Sequence, residues 1–126
     1  MRTIDDVRRY LALAGEAIEE VEAGTWVARL DPGQYPLVIR LEPPVLVFRV
    51  KVMKVPAAGR DAFFAKLLEL NARHMVHGAY GLDGEDVVIL DALEVENLDA
   101  NEVLACVDGI AMAVAEHLPE LARFVS

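Results

Sequence analysis

The side chains best able to do chemistry in this sequence are two histidines, one cysteine and a set of clustered acids. His74 and His77 have an HxxH spacing, which occurs in metal sites. Zinc would need a third and a fourth ligand of suitable type, and a predicted helix ends between the two histidines, so their rings need not share a face. We therefore expect histidines at a helix end or strand surface and no metal site.

Cys106 lies within one predicted helical turn of Val103 and Val107, without a neighbouring His or Lys that would activate its thiol. It is therefore predicted to be a small buried hydrophobic residue rather than a nucleophile. A single cysteine also excludes an internal disulfide and fits a reducing cytoplasm.

The clustered acids fall in the first predicted helix and around a predicted turn: Glu16, Glu19, Glu20, Glu22, Asp83, Glu85 and Asp86. Paired carboxylates act as acid and base only in a cleft that separates their pKa values. These residues lie on polar faces and at turn positions, so a solvated acidic surface is expected. The sequence has neither a nucleophile–base–orienter set nor a phosphate-cradling loop, and it predicts a non-enzyme without cofactors.

Length and composition predict a single domain over residues 1–126. The chain is 55% hydrophobic, yet its apolar runs are too short for a membrane span, and Asp5 and Asp6 disagree with a signal peptide. Its 12 basic and 21 acidic residues give a formal charge of −9, a field that repels nucleic acid and anionic membranes. We expect a cytoplasmic protein with protein partners.

Apolar residues spaced three and four apart predict three helices. Capping boxes begin the first and the last: Thr3 with Asp6, and Asp99 with Glu102. The first helix is predicted to run for about 20 residues to a stop at Gly24. The central helix begins near Arg60 and ends near His74, and Pro119 is expected to break or restart the last one.

Period-two alternation predicts a three-stranded meander before the central helix and a hairpin after it. The alternating apolar positions are Trp26, Ala28, Leu30, Leu37, Ile39, Leu41, Leu46, Phe48, Val50, Val52, Tyr80, Leu82, Val88 and Leu90. Asp83-Gly84 is a hairpin turn signal. The predicted fold is α+β, with order α-β-β-β-α-β-β-α and a twisted antiparallel sheet of about five strands.

The opposite face of the meander gathers a third of the basic residues between apolar ones, and we call it the basic face. It comprises Val27, Arg29, Val38, Arg40, Val47, Arg49, Lys51 and Met53. Long cationic side chains among apolar stems favour an extended, acidic-hydrophobic peptide as partner. An ordinary solvated sheet face, with valines present for strand propensity, is the alternative.

The element order, together with Leu67-Leu68-Glu69-Leu70-Asn71 ahead of Gly78, Gly81 and Gly84, resembles the type III secretion chaperone fold. That superfamily includes the Tir-chaperone (CesT) type and YbjN-like proteins, which are described as sensory transduction regulators. The resemblance implies a homodimer without catalytic residues that holds an unfolded stretch of a client. It implies a dimer contact near Phe63, Phe64, Leu67, Leu70 and Tyr80.

The leading functional hypothesis is therefore a homodimeric, chaperone-like binding protein. The residues predicted to contact a partner segment are Arg29, Val38, Arg40, Val47, Arg49 and Lys51. A dimer is also expected because the central helix has more apolar surface than one sheet can cover. The alternative is a regulatory domain that senses a small molecule between the sheet and the first helix.

Overall fold

The strands of the computed structural model, which describes residues 2–15 and 17–125, form one antiparallel sheet of order β1-β2-β3-β4-β6-β5. The strands are β1 (Ile18–Glu22), β2 (Thr25–Leu30), β3 (Tyr35–Glu42), β4 (Val45–Lys54), β5 (Ala79–Asp83) and β6 (Asp86–Glu94). The helices are α1 (Ile4–Ala12), α2 (Arg60–Arg73) and α3 (Ala100–Leu121), and a 3₁₀ turn follows at Ala122–Phe124. The predicted α+β class with an antiparallel sheet is confirmed.

The core lies between one face of the sheet, the inner face, and the helices. Alternate residues of β2 to β4, such as Ile39 and Phe48, are fully buried there, as period-two patterning requires. Phe63 of α2 and Ile110 of α3 join the same cluster. The helices thus cover one face and leave the other, the outer face, with exposed charged side chains.

The predicted length of the first helix is wrong. Helix α1 ends at Ala12, and the segment expected to complete it forms strand β1, so the sheet has six strands instead of about five. Ile18 fits a helical spacing, but it also pairs with Ala28 and covers an edge of β2 that would otherwise be unpaired. Gly24 is therefore a hairpin residue with φ of 82°, not a helix stop.

Several local predictions are confirmed. Both capping boxes are present, one at the start of α1 and one at the start of α3. Asp83 pairs with Asp86 across the predicted β5–β6 hairpin. Pro119, in contrast, neither breaks nor restarts α3, which continues to Leu121. Because proline has no N–H, the carbonyl of Ala115 lacks its helical hydrogen bond. Ala115 is an exposed residue, so water can take the place of that donor.

Met53 does not lie on the basic face. The register of β4 against β6 shifts between Lys51 and Met53, and Met53 then pairs with Val87 of the core. Such a bulge rotates the following side chain to the other face. None of the helices in residues 2–15 and 17–125 is long and apolar enough to cross a bilayer.

Candidate functional site

The outer face of the sheet brings the predicted partner-binding residues together: Arg29, Val38, Arg40, Val47, Arg49 and Lys51. Val27 on β2 lies opposite Val38 on β3, and Val38 lies opposite Arg49 on β4. The two valines are half-buried, whereas the arginine is exposed. The valine side chains therefore form a low apolar strip between longer cationic side chains.

Two of the four cations on this face are held by acids from the β5–β6 turn. Arg49 forms an ion pair with Asp83, and the Lys51 ammonium lies 3.3 Å from Asp86 Oδ2. Hydrogen bonds from Lys54 and Lys51 hold the pKa of the Asp86 carboxyl below its usual range. The meander alone contains no acid at these positions, and the acids come from a hairpin that lies beyond α2, further along the chain, so alternation within the meander does not reveal the pairing.

Arg29 and Arg40 differ from the other two cations. Within the described part of the chain, neither forms an ion pair or a side-chain hydrogen bond. Two exposed acids border the strip by register: Glu19 of β1 lies opposite Val27, and Glu42 of β3 lies two residues beyond Arg40 on the same face. Neither forms an ion pair with these arginines within the described residues. The charge available to a partner is therefore concentrated over β2 and β3.

A second surface, the α2–β5 groove, lies where α2 packs on the edge strand of the sheet. Its lining residues are Phe64, Leu67, Leu68, Asn71, Tyr80, Gly81 and Leu82. Leu68 is 68% exposed and Leu82 is 51% exposed. The groove encloses about 210 Å³, less than the roughly 300 Å³ at which small-molecule sites begin. It is suited to an apolar side chain.

The residues predicted at the dimer contact divide into three positions. Phe63 and Leu70 are buried in the protomer's own core. Leu67 and Tyr80 are also nearly covered but form the floor of the α2–β5 groove, and Phe64 retains partial exposure at its wall. Most of the apolar surface of α2 is thus buried within its own protomer. The apolar side chains that remain exposed at the groove are Phe64, Leu68 and Leu82, and the prediction did not include the two leucines.

Asn71 fixes the strand beneath the groove. Its Oδ1 accepts from the Tyr80 N–H at 2.7 Å, and its Nδ2 donates to the Tyr80 carbonyl at 3.1 Å. These groups point away from β6, because the side chain that satisfies them stands on α2. Asn71 therefore acts like one residue of a neighbouring strand, which explains why an asparagine closes the leucine-rich segment.

Below the groove, the Tyr80 hydroxyl lies 2.9 Å from His117 Nδ1. His117 is 6% exposed, and its ring packs edge-on against His74 at a centroid distance of 6.2 Å. Burial lowers the pKa of His117 and raises that of Tyr80. Both are therefore neutral near pH 7. Nothing in the sequence distinguished His117, since a lone histidine at a core position of a helix carries no local pattern.

The two histidines of the HxxH pair contact different parts of α3. His74 ends α2 and contacts His117. His77 lies over Gly109, where a Cβ would stand 3.1 Å from the imidazole. Within the described ranges, no set of three or more His, Cys, Asp or Glu is placed to hold a metal ion. The α2–β5 groove contains no histidine among its lining residues.

Cys106 is a buried residue, as predicted. Its Sγ donates a hydrogen bond to Asp91 Oδ2 at 3.2 Å. Burial, together with the charge of Asp91, raises the pKa of the thiol, so the nucleophilic thiolate is suppressed.

Four of the clustered acids are paired with cations: Glu20, Asp83, Glu85 and Asp86. Glu85 pairs with Arg60 at 2.8 Å, and Glu20 accepts from Arg8 at 2.8 Å. The hydrogen bond from Arg8 lowers the pKa of Glu20. Glu16, predicted to share the acidic surface, lies outside the described residues.

The space between the sheet and α1, suggested as a ligand site, is occupied by side chains of the helix itself. Val7 is 0% exposed and Leu11 is 3% exposed, and both belong to the core cluster. The ligand-sensing alternative therefore gains no support at that position.

Comparison with known proteins places this geometry in context. A chain of the heterodimeric ExoU–SpcU complex from the type III secretion system of Pseudomonas aeruginosa has a TM-score of 0.67 at 16% identity, covering 94% of this chain and 96% of that chain. YbjN from E. coli, described as a candidate transcription regulator, has a TM-score of 0.64 at 15% identity, covering 94% of this chain and 93% of that chain. A chain of the HopA1–SchA chaperone–effector complex has a TM-score of 0.59 at 15% identity, covering 89% of this chain and 87% of that chain.

At these identities the solved structures establish a shared fold. No curated protein sequence matches this one. The predicted resemblance to secretion chaperones is confirmed by the CesT_Tir_1 family model, which matches residues 1–126, and the predicted resemblance to YbjN is confirmed at the level of the fold. The protein thus belongs to the CesT_Tir_1 family.

Proposed function

We propose that this protein is a non-enzymatic, cytoplasmic binding module that acts as a homodimer and holds an extended segment of a partner protein on its basic face. The observation that carries the proposal is the outer face of the sheet. Two arginines without an ionic partner in the described residues, Arg29 and Arg40, flank half-buried valines there. Two of the structural neighbours come from complexes with a second protein, which agrees with a protein partner.

The homodimer is proposed to form through the α2–β5 groove. Leu68 and Leu82 expose apolar side chains beside a groove that is sized for one such side chain. In a symmetric dimer, Leu68 of each copy enters the groove of the other, so both exposed leucines are covered at once. This use of the groove leaves the basic face free for the partner segment.

The partner interaction is tested by comparing two tagged proteins expressed in the native host. The wild type is expected to co-purify a protein that the Arg29→Glu/Arg40→Glu variant loses, with dimerisation unchanged. Arg73→Glu serves as a control for the charge reversal, because Arg73 is an exposed residue of α2 and does not belong to the basic face. Retention of the same protein by the double variant contradicts binding at this face. The identity of the protein, a secreted client or a regulatory target, separates a secretion chaperone from a YbjN-like regulator.

The dimer is tested by light scattering and sedimentation with Leu68→Glu. The substitution places an unpaired charge twice in a symmetric contact, so we expect the dissociation constant to rise at least about 100-fold. Leu13→Glu is the matched control, because Leu13 is 65% exposed compared with 68% for Leu68 and stands after α1. Equal effects of the two substitutions, or a monomeric wild type at high concentration, contradict the proposed contact.

A further inference from the structure

The chemistry of the partner segment can be derived from the charges that remain available on the basic face. Asp83 and Asp86 already neutralise Arg49 and Lys51 in part. Arg29 and Arg40, by contrast, make no ion pair within the described residues. A partner that lies across this face therefore meets two arginines with all their guanidinium donors available, and a carboxylate, like a phosphate, can bind each of them in a bidentate way.

Strand register fixes how far apart the two arginines stand. Arg40 lies opposite Thr25, and Val38 lies opposite Val27. Arg29 is therefore four residues along β2 from the level of Arg40, and one strand to the side. With a rise of 3.3 Å per residue and a strand spacing near 4.8 Å, their Cα atoms are about 14 Å apart. The paired valines occupy the midpoint.

An extended peptide repeats the same dimensions. Residues i, i+2 and i+4 of a strand point to one side, and the first and last are about 13 Å apart. In an α-helix, residues i and i+4 are only about 6 Å apart along the axis. The face thus favours an extended segment over a helix when two acidic residues are separated by three others.

We propose, as a refinement that rests on the function proposed above, that the basic face selects an extended segment with the pattern acidic-x-apolar-x-acidic. The two carboxylates pair with Arg29 and Arg40, and the central apolar side chain covers Val27 and Val38. Glu19 borders the valine strip on the β1 side, so the segment lies over β2 and β3. The net charge of −9 opposes a polyanion, whereas a segment with only two acids meets a local cationic pair.

The test is an NMR titration of the ¹⁵N-labelled protein with capped peptides at up to millimolar concentration. The probe contains Glu-Thr-Val-Thr-Glu between Gly-Ser ends, and a permuted peptide of identical composition contains Thr-Glu-Val-Glu-Thr. We expect amide shifts at Val27 and Val38, and about tenfold weaker binding of the permuted peptide. Binding that falls steeply with salt is also expected. Equal binding of the two peptides, or no shifts, overturns the pattern.

Protein variants supply the matched comparison. Arg40→Ala is expected to weaken probe binding about tenfold, and Arg49→Ala less than about twofold, because Arg49 is paired with Asp83. Arg29→Glu/Arg40→Glu is expected to prefer a peptide with lysines in place of the glutamates. Equal losses for Arg40→Ala and Arg49→Ala, or a single-stranded oligonucleotide that binds more tightly than the probe, overturn the proposal.

The outcome distinguishes this inference from the function on which it rests. If the probe fails while the host partner is still lost by Arg29→Glu/Arg40→Glu, the pattern is wrong and the binding face stands. If that double variant retains the host partner and the probe also fails, the assignment of the face is wrong as well.

Discussion

Replacing Asn71 with alanine removes the clamp that holds β5 to α2. Both backbone groups of Tyr80 lose their partner, one at 2.7 Å and one at 3.1 Å. Each such hydrogen bond contributes about 0.5–1.5 kcal/mol net, so complete loss costs about 1–3 kcal/mol. Once the amide is gone, water can enter the groove and partly satisfy the two backbone groups. We therefore expect the free energy of unfolding to fall by about 2 kcal/mol, equivalent to a fall in Tm of about 6–10 °C for a domain of this length.

The assay is urea unfolding followed by circular dichroism at one fixed protein concentration, since a dimer's stability depends on concentration. The control is Asn101→Ala, at an exposed position of α3. Both substitutions replace an asparagine near a helix end with alanine, so the control accounts for most of the gain in helix propensity. A free energy of unfolding for Asn71→Ala within about 0.5 kcal/mol of that of the control, at equal m-value, would refute the account of this asparagine.

Three further predictions concern buried groups. Burial lowers the pKa of His117, so the unfolded state binds its proton first; the free energy of unfolding should therefore fall as pH drops below about 6.5, and His117→Gln should flatten that part of the urea-midpoint profile. Cys106 should react with a thiol reagent at a rate set by unfolding, because burial raises the pKa of its thiol; rapid labelling of the native protein contradicts this. Phe63→Ala should cost about 3–5 kcal/mol of stability, whereas Phe64→Ala should lower stability less and weaken the proposed dimer; equal losses of stability contradict the placement of the two rings.

The sequence was sufficient for several local signals, although Pro119, which is also a local signal, does not end α3. The capping boxes, the Asp83-Gly84 hairpin and the three strands of the meander depend on residues within a few positions of one another, and each is present. The error at β1 has the opposite origin. Ile18 and Val21 satisfy a helical period, and only the unpaired edge of β2, formed by residues further along the chain, selects a strand.

The candidate surfaces show the same division. Alternation on three adjacent strands was enough to collect the basic face except for Met53, because register follows from the short links of a meander, whereas the bulge that redirects Met53 leaves no pattern in the sequence. It was not enough to tell Arg40 from Arg49, since the acid that pairs with Arg49 comes from the hairpin beyond α2. Likewise, the apolar excess of α2 was visible in the sequence, but its division between core and surface depends on how the helix rotates over β5.

The placement of the two surfaces bears on how the proposed homodimer and the proposed bound segment would coexist. The α2–β5 groove is formed on the helix-bearing side of the sheet, at the edge where β5 is the last strand. Arg29 and Arg40 project from the outer face of β2 and β3, toward the other end of the strand order. A dimer built on the groove therefore leaves both pairs of arginines accessible, one pair on each protomer. Because the two acids of the proposed segment need only one such pair, each protomer of the proposed dimer would provide a complete binding face. Dimerisation would then add a second copy of the site rather than complete the first.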